Sequence, residues 1–434
     1  MKKKVVLILN VLISLGLFSS CSSSDDDAST ASKVLESLPT MSSNSGSEIR
    51  SYEEALAIAQ ASIPMLEQSS STTRYVGTQR KIDINDKKVF KLNSKTRNAL
   101  NINDTLIYVF NFEDNAGFAL VSASKNTDGL LAITEQGYCD PDTPSEIEGL
   151  EMFKSMAKEY VRRASIEIPR GPNDPIIETR DSITYSYSTV GPYVNVRWGQ
   201  LHPEGEYCPN GKSGCANTAM AQIMSYYNYP TSINLTYSGA DISVQSLDWL
   251  SMKSHNTGHN LSSCSTPEPH KAIGRMMRQL GELNHSTYKF NPWKTTTNSH
   301  DYVKATFTNL GYTCGDWSSF VGFFARTQLN NTHLFYIRGK CAEGRHAWVL
   351  DGYKTVTKTI REMARTATSG WFFTGHVSVE NDHFMHYNWG WYGDSNGYFA
   401  EGVYNTTQAQ FYDAVTTDSV HNFTEEIKLI NVYH

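Results

Sequence analysis

The spacing of apolar residues divides the chain into a short α+β region and a longer one. Helical spacing predicts helices from Tyr52 and over Glu146–Arg163. Between them, apolar runs predict three strands, with a hairpin turn at residues 114–117. These runs cover residues 106–112, 118–122 and 130–133. Helix, meander and helix predict a small α+β domain over residues 51–168.

Both predicted helices start with a sequence typical of a capping box. Ser51 is followed three positions later by Glu54, and Ser145 by Glu148. In a capping box, the Ser side chain and the Glu side chain satisfy each other's backbone N–H groups. We therefore expect Glu148 to cap its own helix.

A Pro- and Gly-rich segment, residues 168–175, separates this region from the rest of the chain. It predicts an exposed processing linker over residues 169–190, with candidate cleavage sites around Arg170 to Arg180. The second domain then covers residues 191–434.

The second domain has its predicted helices first and its predicted strands later, the order of an α+β fold. Helices are expected at residues 215–227, 271–283 and 302–310, and strands at 334–337, 347–350, 384–387, 397–399 and 427–430. The stretch from Thr355 to Asp382 is long for a link between strands, and we expect a mobile loop over the site there.

The N-terminus predicts secretion. A basic start, Met1-Lys2-Lys3-Lys4, precedes an apolar run too short to span a membrane. The segment ends at Cys21 like a bacterial lipoprotein site, so residues 1–21 are interpreted as a lipoprotein signal peptide and Cys21 as the lipidated residue. Residues 22–50 are then a flexible tether. The alternative is a secreted protein with an acidic tail.

Composition excludes some classes of function. The 434 residues carry a net charge of −6, which does not favour nucleic acid as a partner. Seven cysteines without a C-x-x-C pair indicate neither a disulfide scaffold nor a zinc ribbon. We expect no cofactor and no metal.

The most informative stretch is Ser213 to Met224, in which Cys215 follows a glycine and opens a helix. A helix N-terminus favours an anion, and the thiolate is the nucleophilic form of cysteine. The alternative is a buried structural cysteine, so the catalytic interpretation needs a base elsewhere in the chain.

His346 is the candidate base. It precedes a predicted strand and lies 131 residues after Cys215 (346 minus 215), a distance that fits the papain pattern. An imidazole can keep a thiolate as its counter-charge and later protonate the leaving amine. The other histidines, His383 and His386 among them, are interpreted as surface or core residues.

Two further segments complete a candidate site. Asn388 and Trp389 could orient the imidazole and shield it from water, although such a cluster taken alone favours plain core packing. The Gln200 amide, upstream of the Cys215 helix, is a candidate oxyanion donor beside the Cys215 N–H. Alone, each of these signals is weak.

Together the four segments resemble the streptopain family of papain-like cysteine peptidases in residues, order and spacing. They are Trp198-Gly199-Gln200, Gly214 to Met224, Gly344 to Ala347 and Asn388 to Trp391. Residues 114–123 resemble that family's propeptide, and the resemblance covers residues 50 to 434. It implies a papain-like fold, a helical part plus an antiparallel sheet part, preceded by an inhibitory propeptide domain.

By this resemblance Cys215 is the nucleophile, His346 the base and acid, and Gln200 an oxyanion donor, with Asn388 and Trp389 placing the imidazole. A looser alignment gives Thr296 and Arg345 as substrate-binding residues. The implied protein is a secreted or outer-membrane-anchored zymogen. Its partners are protein or peptide substrates, its own propeptide and a membrane reached through the lipid only.

The sequence also departs from the family at several positions. Asn217 replaces a small residue, Arg345 a common Gly, and residues 281–299 match poorly. Two other functions stay open: an amidase or acyltransferase of the same fold acting on cell-wall peptides, and a non-enzymatic surface binder or inhibitor.

Overall fold

A computed structural model describes most of the chain after residue 48. The described residues are 49–67, 80–91, 105–164, 179–235, 244–254, 268–291, 293–297, 299–341, 344–364, 372–404 and 427–434. The predicted signal peptide with Cys21, nearly all of the tether, and linker residues 165–178 lie outside them. Within the described residues, no helix is long and apolar enough to cross a membrane.

The first domain follows the predicted order of helix, meander and helix. The Ser51 capping box is present at the start of the first helix, as predicted. The hairpin turn is also confirmed, with Asp114 and Asn115 at φ of 59° and 55°. The elements are α1 (Tyr52–Ser62), α2 (Pro64–Glu67), β1 (Lys88–Lys91), β2 (Thr105–Asn111), β3 (Phe118–Ser122), β4 (Leu130–Thr134) and α3 (Glu148–Ala164).

The second domain has the predicted helical part and antiparallel part. Its elements are β5 (Thr179–Val190), α4 (Cys215–Tyr227), β6 (Ser232–Asn234), β7 (Val244–Ser246), α5 (Trp249–Ser254), α6 (Glu268–Leu283), β8 (Ser286–Phe290), β9 (Trp293–Thr297), α7 (His300–Asn309), β10 (Thr313–Cys314), β11 (Ser318–Ser319), α8 (Gly322–Asn330), β12 (Leu334–Cys341), β13 (Gly344–Ala364), β14 (Phe372–Asn388), β15 (Gly397–Ala400), α9 (Glu401–Tyr404) and β16 (Lys428–Tyr433). The predicted α+β class is confirmed.

One antiparallel sheet runs through both domains. Its order is β1-β2-β3-β4-β15-β14-β13-β12-β16-β10. The two domains join where β4 pairs with β15, with Thr134 opposite Gly397 and Ala132 opposite Phe399. The edge of the first domain's sheet is therefore satisfied by the second domain's backbone.

The two faces of this sheet carry different layers. Side chains alternate between the faces of a strand. In β13, Ala347 and Val349 pack with helices α4, α6 and α7, whereas Trp348 and Leu350 pack with the core that includes α3. The sheet therefore lies between the helical part and the first domain.

Three expectations from the sequence are wrong. Thr355–Asp382 is not a loop over the site: β13 and β14 pair along most of it, and β5 pairs along the second half of β13. For the same reason, the end of the predicted linker is a strand from Thr179. The third error concerns Glu148. The Ser145 hydroxyl accepts from Ile147 N–H, and the Ser145 N–H donates to Glu151, so Glu148 does not form the predicted cap.

Candidate active site

The candidate nucleophile lies where the sequence predicts it, at the first residue of α4. Gly214 precedes it with φ of 90°, a conformation that glycine tolerates best. A Cβ at Gly214 would also lie 2.9 Å from Thr295 Cγ2, so the approach of β9 leaves no room for a side chain. Asn228, in the left-handed conformation, ends the helix. The thiol is thus held at the free N–H groups of a helix start.

Strand β13 brings the candidate base to this thiol. His346 is the third residue of β13, and the neighbouring Ala347 packs in the same core as α4. The Cys215 sulfur is within hydrogen-bonding reach of the backbone N–H groups of Ala347 and Ala216. The backbone next to His346 therefore lies against the thiol, although the two residues are 131 positions apart in sequence.

The imidazole of His346 is held by tryptophans. Its Nε2 lies 3.1 Å from the Trp389 carbonyl oxygen, to which it can donate. Its ring stacks on Trp348, with centroids 6.1 Å apart and planes 14° apart, while the Trp389 ring is 6.5 Å away. Trp389 is itself fixed, because its indole N–H donates to the Ser395 carbonyl.

Asn388 and Gln200 are both buried beside this arrangement. The Asn388 amide donates to the Val196 carbonyl, and its oxygen accepts from Gln222 Nε2 and from the Gly390 N–H. Its hydrogen bonds therefore brace the turn after β14 rather than contact the imidazole directly. The Gln200 carbonyl accepts from the Ser213 N–H at 2.8 Å, which ties Gln200 to the residue two before Cys215.

The first domain reaches the candidate pair through the start of α3. Glu148 Oε2 lies 3.9 Å from His346 Nδ1, and Glu148 Oε1 lies 3.6 Å from Lys294 Nζ. Gly149 packs so closely that a Cβ there would lie 2.5 Å from the Trp389 ring and 2.7 Å from His346 Cδ2. The helix start therefore covers the imidazole.

This cover favours the neutral forms of both groups. Burial, with the negative charge of Glu148, raises the pKa of the Cys215 thiol to about 11. Burial lowers the pKa of His346 to about 4, and the cations Lys212 and Lys294 lower it further, against the Trp389 carbonyl, which raises it. At neutral pH the closed chain therefore holds a thiol and a neutral imidazole rather than an ion pair.

The two predicted substrate-binding residues lie on either side of the pair. Thr296 is half-buried on β9, next to Thr295 against Gly214, and Arg345 is exposed on β13 next to His346. No described group of three or more His, Cys, Asp or Glu side chains is arranged to hold a metal ion.

Sequence reasoning missed three contributors. Glu148 was expected to cap a helix, and only the tertiary structure places it at the imidazole. Lys294 lies in the segment that matched the family poorly. Trp348 follows the histidine by two residues, a spacing that places both side chains on one face of β13; that spacing was the available signal.

The first domain and the site have known counterparts. Residues 47–161 match the Spi protease inhibitor family, and residues 192–399 match the Peptidase C10 family. A peptidase-family region preceded by an inhibitor-family region is the arrangement of a cysteine peptidase precursor.

The chain is also similar to named proteins and to a solved structure. A thiol protease/hemagglutinin, PrtT, from Porphyromonas gingivalis is 24% identical over 342 residues, which are 70% of this chain but 34% of that protein. Streptopain from Streptococcus pyogenes serotype M1 is 24% identical over 333 residues, covering 68% of this chain and 73% of streptopain. Prointerpain A from Prevotella intermedia is 19% identical, with a TM-score of 0.48, over 79% of this chain and 98% of that one.

Residues 192–399 are therefore assigned to the Peptidase C10 family, and residues 47–161 to a propeptide domain of the Spi inhibitor type. The predicted family is thereby confirmed. The matched region spans about a third of the Porphyromonas protein, 34% of its length.

Proposed function

We propose that the chain is a secreted cysteine endopeptidase, made as a zymogen and anchored to the outer membrane or cell surface through lipidated Cys21. Cys215 is the nucleophile, and His346 is the base and acid. The observation that best supports this proposal is that the Cys215 sulfur is within hydrogen-bonding reach of the Ala347 N–H, next to His346, while Glu148 of the propeptide lies 3.9 Å from His346 Nδ1. The anchor rests on the N-terminal sequence alone.

The reaction begins after the propeptide leaves. Entry of water raises the pKa of His346, and together with the loss of the Glu148 charge it lowers the pKa of Cys215, so the proton moves to the imidazole. The thiolate attacks the carbonyl carbon of the scissile peptide bond. The tetrahedral oxyanion is stabilised by the Cys215 N–H and the Gln200 amide.

The imidazolium then protonates the leaving amine, and an acyl-enzyme remains on the Cys215 sulfur. Water, deprotonated by His346, attacks the thioester and releases the carboxylate product and the thiol. Trp348 and Trp389 hold the imidazole ring, and Asn388 braces the turn that supplies the Trp389 carbonyl.

The test is to incubate the purified precursor and its Cys215→Ala variant and to follow their masses. We expect the wild type to cut itself within residues 169–178, ahead of strand β5, and then to cleave casein, while the variant accumulates as full-length chain. Normal maturation of the variant would show that another protease makes the cut. A processed protein that cleaves no polypeptide would favour the cell-wall amidase or acyltransferase.

A further inference from the structure

Cations surround the candidate dyad in the peptidase domain. Lys212 lies three residues before Cys215 and packs over the Trp391 ring, with Nζ 5.3 Å from the centroid. Lys294 lies on β9 and Arg345 on β13, next to His346. Lys212 and Lys294 lie close enough to the imidazole for their positive charges to lower the pKa of His346.

The two lysines are held in a fixed relation. Thr295, next to Lys294 on β9, donates its hydroxyl to the Lys212 carbonyl at 2.7 Å. The same side chain packs against Gly214. Strand β9, the loop before α4 and the nucleophile therefore form one unit, which stays with the peptidase when the propeptide is removed.

The closed chain shows what this unit binds. Glu148 of the propeptide has one carboxylate oxygen 3.6 Å from Lys294 Nζ and the other 3.9 Å from the imidazole. Helix α3 does not need this carboxylate for its cap, because Ser145 and Glu151 bond the helix start. The Glu148 carboxylate can therefore pair with Lys294. When the propeptide is removed, Lys294 stays beside the candidate dyad without this carboxylate.

We propose that Lys294, with Lys212 and Arg345, selects substrates that carry an acidic side chain within two residues of the scissile bond. That side chain takes the place of Glu148. This inference rests on the proposed function. Lys294 is the main specificity residue, because it is the cation that contacts the carboxylate in the closed chain.

The test uses the processed enzyme and pairs of fluorogenic peptides that differ only by Glu or Gln, placed in turn at each of the two positions on either side of the cut. For wild type we expect kcat/KM to favour Glu about fivefold at one or more positions, the scale of a partly exposed ion pair. Raising the salt concentration should reduce this ratio.

The ratio of Glu to Gln peptides within one variant cancels any loss of folded protein. We expect Lys294→Ala to bring it to about one, Lys294→Glu to invert it, and Lys271→Ala, a surface control on α6, to keep it. Equal cleavage of both peptides at every position by wild type would overturn this inference and leave the proposed function standing. A preference for Glu that survives Lys294→Ala would do the same. An enzyme that cleaves no peptide would overturn the proposed function and this inference with it.

Discussion

Two helices direct their N-termini at the same imidazole and thiol, from opposite faces of the sheet. Helix α4 brings Cys215 and is buried from Ala216 to Ser225 in the core of the helical part. Helix α3 brings Glu148 and Gly149 and packs in the other core, where Phe153 meets Phe399 with centroids 4.9 Å apart. One helix builds the site and belongs to the peptidase; the other closes it and belongs to the propeptide.

The comparison shows how similar elements can have opposite effects. Both helix starts favour negative charge nearby. At α4 that charge is the thiolate expected once the propeptide has left, whereas α3 supplies its own carboxylate and excludes water from the imidazole. We therefore expect closing of the site to return the proton from the imidazolium to the thiolate.

The largest effect is expected from Gly149→Ala. The added methyl would overlap the rings of Trp389 and His346, and overpacking of this kind costs about 1–3 kcal/mol. We expect the precursor's Cys215 to react with iodoacetamide roughly ten- to a hundredfold faster than in wild type.

A matched control is Ser155→Ala, a small change further along the same helix. Alanine also has a higher helix propensity than glycine, so weaker closure in Gly149→Ala cannot come from an unstable α3. A labelling rate equal to that of wild type would mean that α3 is not the cover.

Lowering the pH from 7 to 5 should raise the fraction of open precursor by about an order of magnitude. The pKa of His346 is about 4 in the closed chain, and we expect it near its ordinary value of about 6.5 in the open Cys215→Ala chain, which has no thiolate to raise it. The open form binds the proton more tightly, so the contribution of the neutral imidazole to closure is complete above pH 6.5 and is lost as pH falls towards 4.

Hydrogen exchange of the α3 amides in the inactive Cys215→Ala precursor, corrected for the intrinsic rate, measures this opening. His346→Gln removes the titrating group and should flatten the profile in this range. If the Cys215→Ala precursor with His346 intact gave a profile as flat as that of the His346→Gln variant, the assignment of the pH dependence to His346 would be contradicted.

The smallest effect is expected from Glu148→Gln. Its ion pair with Lys294 is about one-third exposed on both sides, so its loss should speed labelling of the precursor's Cys215 only about threefold. Glu159→Gln, at the other end of α3, breaks pairs with Arg162 and Arg163 and is the control. An effect as large as that of Gly149→Ala would show that charge rather than packing dominates closure.

The elements that the sequence predicted correctly are those whose conformation depends on neighbouring residues. The helix starting at Cys215, the Ser51 cap and the hairpin at Asp114 follow from neighbouring residues. The long pairing of strands β13 and β14 was not predicted because β5, which pairs with β13, lies more than 150 residues earlier in the chain. The role of Glu148 was missed because its sequence matches a cap, and only packing against His346 decides between the two partners.

The central claim is that Cys215 is a nucleophile silenced by the propeptide. The most direct measurement is the alkylation rate of Cys215 in a partly processed sample, where mass spectrometry separates precursor from mature chain. We expect labelling of Cys215 to be at least a hundredfold faster in the mature chain, while Cys208, buried and with its pKa raised to about 12, stays slow in both forms. Cys139, which lies in the propeptide and also has its pKa raised to about 12, should stay slow in the precursor. Equal rates for Cys215 in the two forms, or faster labelling of another cysteine in the mature chain, would contradict the claim.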